Sequence, residues 1–113
     1  MSNKKNAGAT LRCKNMMYTQ QLKHLPFNDI DALEEAVAKL PKLKDYGLIV
    51  HDKDVANGIM VEPHVHVMMR FTDANRINTI ANELKDKPQN IAYWYKVILI
   101  YVQKVLNKNV HML

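Results

Sequence analysis

The sequence predicts an α+β domain in which helices pack on one antiparallel sheet. Runs rich in β-formers alternate with segments of helical hydrophobic spacing, and prolines or capping residues separate them. The elements follow the order strand, helix, strand, strand, helix, strand. The chain has 113 residues, the length of one domain, and its single cysteine, Cys13, allows no internal disulfide.

The first half of the domain is interpreted as a strand, a helix and a second strand. Residues 12–21 form the first predicted strand. A cap at Asn28 or Asp29 then starts a helix whose apolar residues recur at helical spacing, and Pro41 ends it. Residues 46–51 form the second strand.

The second half repeats that order after a short loop that contains glycine. Residues 64–71 predict the third strand, and a cap at Thr72 or Asp73 starts the second helix, which Pro88 closes. Residues 90–96 predict a further strand, and the stretch after them suits a strand and a helix equally well. This order is the split βαβ pattern of a ferredoxin-like core, with an antiparallel sheet and helices packed on it.

The charge of the chain favours an anionic partner. Its formal net charge is +5, as is common among proteins that bind nucleic acid, although a basic protein without such a partner can carry the same charge. Residues 1–12 predict a basic, flexible N-terminal arm, which precedes a single domain over residues 13–113. No apolar run approaches membrane-spanning length, and the N-terminus does not resemble a signal peptide. We therefore expect a cytoplasmic protein without membrane association.

The histidine pattern is the most informative feature of the chain. His64 and His66 lie two apart in a predicted strand, so both imidazoles project from one face. His51 ends the preceding strand, and Asp54 follows it in the motif HDKD. Antiparallel pairing of these two strands would bring three imidazoles and a carboxylate together.

Two interpretations of these histidines are open. A lone strand histidine is often an ordinary surface or core residue. His24 and His111 have no partner pattern and are expected to be surface residues. The other three have apolar neighbours, and a divalent ion would supply partners for their ring nitrogens. Imidazole and carboxylate ligands suit Mn, Zn, Ni or Co and tolerate Mg. The pattern therefore predicts a metal site.

Three motifs together resemble a known family. They are HDKD at residues 51–54, PHVHVMM at residues 63–69, and a polar helix followed by a strand that begins Asn90-Ile91. This combination is similar to that of the HUH endonucleases, in particular the rolling-circle replication initiators of small plasmids. The resemblance covers roughly residues 14–96.

The resemblance implies a metal-dependent DNA nickase. It implies that Mn²⁺ or Mg²⁺ is held by His51, Asp54, His64 and His66. A tyrosine on a later helix would attack single-stranded or cruciform plasmid origin DNA, leaving a 5′-phosphotyrosyl link and a 3′-OH primer. Oligomerisation would use regions absent from this chain. The cations predicted to contact DNA are Lys14, Lys53, Arg70, Lys96 and Lys104.

The nucleophile is the open part of this prediction. Tyr101 is the candidate, and Tyr95 is the alternative. From about residue 97 the sequence departs from the family pattern. Codons compatible with residues 101–111, read one base earlier, permit a lysine-rich tail of the family type. This indicates a frameshifted end, in which case Tyr101 is accidental and the chain binds metal with little or no nicking.

Two other functions compete with the plasmid initiator. A non-catalytic, ferredoxin-like module could bind nucleic acid by stacking bases on its sheet, but the strands lack the aromatic pattern of such modules. A mobilisation relaxase or a transposase would use the same HUH chemistry. The HDKD motif makes the plasmid initiator the closer match.

Overall fold

A computed structural model describes five stretches of the chain, which are residues 11–52, 55–56, 58–60, 62–93 and 111–112. The strands are β1 (Arg12–Gln21), β2 (Leu43–His51), β3 (Val55–Ala56), β4 (Ile59–Met60), β5 (His64–Arg76), β6 (Ile91–Tyr93) and β7 (His111–Met112). The α-helices are α1 (Ile30–Ala38) and α2 (Ile77–Glu83), and short 3-10 helices lie at Leu22–His24 and Pro88–Asn90.

One antiparallel sheet organises the described residues. Its strand order is β6-β1-β5-β2-β7, and each neighbouring pair runs antiparallel. The strands β1, β2, β5 and β6, with α1 after β1 and α2 after β5, are compatible with a ferredoxin-like fold. The predicted α+β class, with an antiparallel sheet and two helices, is confirmed.

Both helices cover the same face of the sheet. Tyr18, Val67 and Leu48 are paired across β1, β5 and β2, so they share a face, and all three are fully buried. From α1, Leu33 and Val37 pack into the same cluster because residues four apart share a helix face. α2 contributes four more buried side chains, which are Ile77, Ile80, Ala81 and the following Leu84.

The start of α1 follows from its capping residue. The side chain of Asp29 accepts a hydrogen bond from the backbone N–H of Ala32 at 2.8 Å, which satisfies one of the unpaired donors at the helix start. The predicted cap is confirmed. The helix ends at Ala38, shortly before Pro41.

Three predicted boundaries are wrong, which are the start of the second strand, observed at Leu43, the end of the third strand and the start of the second helix. The second helix begins only at Ile77, because β5 continues to Arg76 and pairs there with Arg12 of β1. Asn75 is buried, and its amide donates to the Pro41 carbonyl at 2.9 Å. This tertiary pairing overrides the local cap signal. The loop after β2 also contains a small hairpin, β3 and β4, with Gly58 at a φ of 77° in its turn.

Among the described residues, no helix is long and apolar enough to cross a membrane.

Candidate metal centre

The face of the sheet opposite the helices, here called the histidine face, carries three clustered histidines. Sheet pairing places His51 of β2 directly beside His64 of β5. His66 lies two residues further along β5 on the same face. Because β2 and β5 are neighbours, one potential ligand atom from each imidazole lies within 4.8 Å of the others.

The three imidazole rings lie close together. The rings of His51 and His64 are stacked, with centroids 5.0 Å apart and an angle of 21° between their planes. The ring of His66 meets both edge-on, with centroid distances of 5.2 Å to His51 and 4.8 Å to His64. Neighbouring ligands about 2.1 Å from one ion lie roughly 3.0 Å apart in the octahedral geometry of Mg²⁺ and about 3.4 Å apart in a tetrahedral site. The candidate ligand atoms of the three histidines lie within 4.8 Å of one another, so binding of one ion would require the imidazoles to move closer together.

Neighbouring groups orient two of these rings. The Nδ1 atom of His64 lies 3.0 Å from the backbone oxygen of Glu62. Since a carbonyl only accepts, Nδ1 carries the proton and Nε2 keeps its lone pair. The Nδ1 atom of His66 lies 3.0 Å from the hydroxyl oxygen of Thr19 on β1. An outer hydrogen bond of this kind fixes ring orientation at metal sites.

The opposite end of the histidine face carries an ion pair. Arg70 of β5 pairs with Asp45 of β2 through two hydrogen bonds, one from Nε to Oδ1 at 2.6 Å and a second from Nη2 to Oδ2. The hydrogen bonds to Asp45 raise the pKa of Arg70, against the opposing effect of its burial. Between the two ends, Ile49 and Met68 are buried on this face.

Several predicted site residues have no described position. Asp54, Lys53, Lys96, Tyr101 and Lys104 lie outside the described residues, so their roles stay predictions.

The two described DNA-binding candidates lie at the end of the sheet away from the histidines. Lys14 is exposed, and with Arg70 it borders a cleft whose other residues are Asn15, Lys44, Phe71 and Thr72. Since Asp45 already binds the guanidinium of Arg70, the exposed cations of this cleft are the two lysines. DNA contact by either candidate stays a prediction.

The described tyrosines do not face the histidines. Tyr93 pairs with Met16, and Ile91 with Tyr18, so Tyr93 belongs to the helix-covered side of the sheet. Tyr46 is buried on that side and donates to Glu34 at 2.7 Å. Burial, together with that hydrogen bond, raises the pKa of Tyr46 to about 12. These residues are therefore poor candidates for attack at the histidine cluster.

Sequence reasoning missed a network centred on Asp86, in the loop after α2. Its carboxylate accepts hydrogen bonds from Tyr18, from Gln20 at 3.0 Å, from Asn90 at 2.8 Å and from the backbone of Lys87 at 2.7 Å. Burial works to raise the pKa of Asp86, but these donors together hold it below its ordinary value. Burial and the bond to Asp86 raise the pKa of Tyr18. No local sequence motif predicts contacts between residues that are so far apart in the chain.

Comparison of the chain with family models, with curated proteins and with solved structures gives no significant match.

Proposed function

We propose that this chain is a metal-dependent DNA nickase of the HUH type, related to plasmid rolling-circle replication initiators. The observation that carries the proposal is the convergence of His51, His64 and His66 on one face of an antiparallel sheet. Its support from sequence is the HDKD motif and the strand His64-Val65-His66 within the split βαβ order. The ferredoxin-like core of the HUH type is part of the same proposal.

In this proposal some residues would bind the ion and others would orient its ligands. His51, His64 and His66 would hold Mn²⁺ or Mg²⁺, with Asp54 as a fourth ligand. Such an ion supplies a Lewis acid that polarises the scissile phosphate and disperses charge on its oxygens. Glu62 and Thr19 would keep the imidazoles in position through their hydrogen bonds at Nδ1.

The nucleophile of this proposal is Tyr101. Attack by its phenol oxygen on the phosphorus would form a 5′-phosphotyrosyl bond and release a 3′-OH, so the energy of the broken phosphodiester is conserved. Tyr101→Phe should abolish the covalent adduct and leave metal uptake unchanged, because the phenol attacks and does not bind the ion. If an adduct persists in Tyr101→Phe, another tyrosine is the nucleophile, and Tyr95 is the alternative.

A second candidate is a metal-binding domain without nicking activity. The departure of the sequence from the family pattern after about residue 97 favours it, because a frameshifted end would lack the catalytic tyrosine. The gene sequence distinguishes an intact reading frame from a frame that shifts near residue 97. A downstream frame that continues without a shift would remove the second candidate's main support.

The deciding experiment is adduct formation on single-stranded DNA. A 5′-labelled and a 3′-labelled pool of randomised oligonucleotides is incubated with the protein and Mn²⁺, and products are separated under denaturing conditions. We expect a protein-linked product that requires Mn²⁺ and is absent from His64→Ala. His24→Ala is the matched control, since His24 is exposed and lies outside the cluster. Stoichiometric Mn²⁺ binding without any adduct would instead favour the non-catalytic domain.

A further inference from the structure

A polar cleft adjoins the candidate metal centre and shares one histidine with it. The cleft is lined by Thr19, Gln20, Gln21, Glu62, His64 and Asn90. Gln21 pairs directly with His64 in the sheet. Because His64 belongs to both the cleft and the centre, a molecule in the cleft would adjoin whatever group is bound at the histidines.

The charge of the cleft disfavours a phosphate. In the part of the chain that the structure describes, no lysine or arginine lines this cleft. Glu62 contributes a carboxylate whose Oε1 atom lies 3.3 Å from the ammonium of Lys23, and both side chains are about half exposed. A phosphate would meet that carboxylate without a cation of its own. An uncharged group with hydrogen-bond donors and acceptors fits the lining better.

Two amides of the cleft are held in fixed orientations. Asp86 accepts from Nε2 of Gln20 at 3.0 Å and from Nδ2 of Asn90 at 2.8 Å. Since a carboxylate only accepts, both NH₂ groups must point toward it. Oε1 of Gln20 accepts from the backbone N–H of Gln21 at 2.9 Å. A ligand would therefore meet amides that are already ordered, which lowers the entropic cost of binding.

We propose that this cleft binds one unpaired nucleobase of a single-stranded DNA substrate, next to the phosphate held at the histidines. The assignment rests on the proposed function, since it takes single-stranded DNA as the substrate. An amide side chain offers a donor and an acceptor side by side, the pattern that pairs with adjacent groups on a base edge, such as N6 and N7 of adenine. The exposed Gln21, which is not among the donors to Asp86, contacts that edge.

The test is selection of bound sequences by two matched glutamine variants. The unmutated protein, Gln21→Ala and Gln89→Ala are each immobilised and loaded with Mn²⁺ and randomised single-stranded DNA, and the retained strands are sequenced. Gln89 is the control because it is exposed and lies on the 3-10 helix that ends at Asn90, but does not line the cleft. Thermal unfolding of the three proteins should coincide, since both side chains are exposed.

We expect a preference of about tenfold for one base at one position of the bound strands. Gln21→Ala should reduce that preference toward none, while Gln89→Ala keeps it. A preference that survives Gln21→Ala, or bound strands without any base preference, would overturn the cleft assignment. Adduct formation on the same pool of randomised DNA tests the proposed nicking activity separately. Base-selective binding without an adduct would contradict nicking activity and still support nucleobase binding in the cleft. An adduct without any base preference would support nicking and contradict nucleobase binding in the cleft.

Discussion

The two ends of the histidine face differ in how their polar groups are satisfied. At one end, His51, His64 and His66 lie close together, with the Glu62 carbonyl beside His64 and the Thr19 hydroxyl beside His66. At the other end, Arg70 and Asp45 neutralise each other in a bidentate ion pair. Along β5 the distance from His64 to Arg70 is about 20 Å, since a strand rises roughly 3.3 Å per residue.

This difference separates a candidate reaction site from a surface suited to charge. In a bidentate ion pair the two opposite charges neutralise each other, so neither group requires a further ligand. A cluster of three imidazoles offers several nitrogen atoms that can bind a cation. Histidine is the commonest metal ligand in proteins. The cleft beside Arg70 is bordered by Lys14 and Lys44, and the proposed nickase would contact the DNA backbone there.

Removal of one candidate ligand should give the largest effect. In His64→Ala, affinity for Mn²⁺ should fall by more than the roughly 10- to 100-fold that loss of an outer-sphere partner causes, and cleavage should disappear with it. Salt-dependent DNA binding should persist, because scattered lysines and arginines supply the phosphate contacts. Metal titration and DNA titration at two salt concentrations measure the two properties. Equal loss of Mn²⁺ affinity and of DNA binding would contradict the assignment of metal binding to one end of the histidine face and DNA binding to the other.

Loss of the hydroxyl beside His66 should have an intermediate effect. Thr19→Val keeps the shape of the side chain but removes the oxygen that lies 3.0 Å from Nδ1 of His66. We expect a 10- to 100-fold loss of Mn²⁺ affinity, the usual consequence of deleting an outer hydrogen bond to a ligand. Thr19→Ser should restore most of it. A chelator competition assay measures the affinities, and identical values for the Val variant and the unmutated protein would refute the orienting role.

Neutralisation of Asp45 should have the smallest effect on the candidate metal centre and a distinct effect on DNA binding. Asp45→Asn leaves the guanidinium of Arg70 without its countercharge, so the free energy of unfolding should fall by about 1–2 kcal/mol for this partly exposed pair. The freed cation should steepen the salt dependence of DNA binding by about one phosphate contact. Asp31→Asn, an exposed change of equal charge on α1, is the control. Unchanged salt dependence would show that Arg70 does not reach DNA.

The sequence predicted much of the fold because local signals agreed with the tertiary arrangement. The residue pattern predicts the first strand at residues 12–21, as observed, and the cap at Asp29 starts α1. The boundary at residues 72–76 failed because pairing of Arg76 with Arg12 extends β5 past its cap signal. Such pairing depends on strands far apart in the chain, and neither propensity nor capping residues reports it.

The histidine cluster was predictable, but its surroundings were not. Period-two spacing placed His64 and His66 on one face, and the predicted adjacency of the two strands brought His51 beside them. The hydroxyl of Thr19 comes from β1, whose register against β5 has no sequence signature. The same holds for Asp86 and its donors, which lie up to 68 residues away in the chain.

The most direct test of the metal centre is nuclear magnetic resonance of the histidine side chains. In a ¹⁵N-labelled protein titrated with diamagnetic Zn²⁺ as a probe, the imidazoles of His51, His64 and His66 should shift together at one equivalent of metal. For His64 the coordinated atom should be Nε2, because Nδ1 donates to Glu62. The resonance of the exposed His24 should not move. Uniform small shifts of all histidines, or no saturation near one equivalent, would contradict a metal centre built from these three residues.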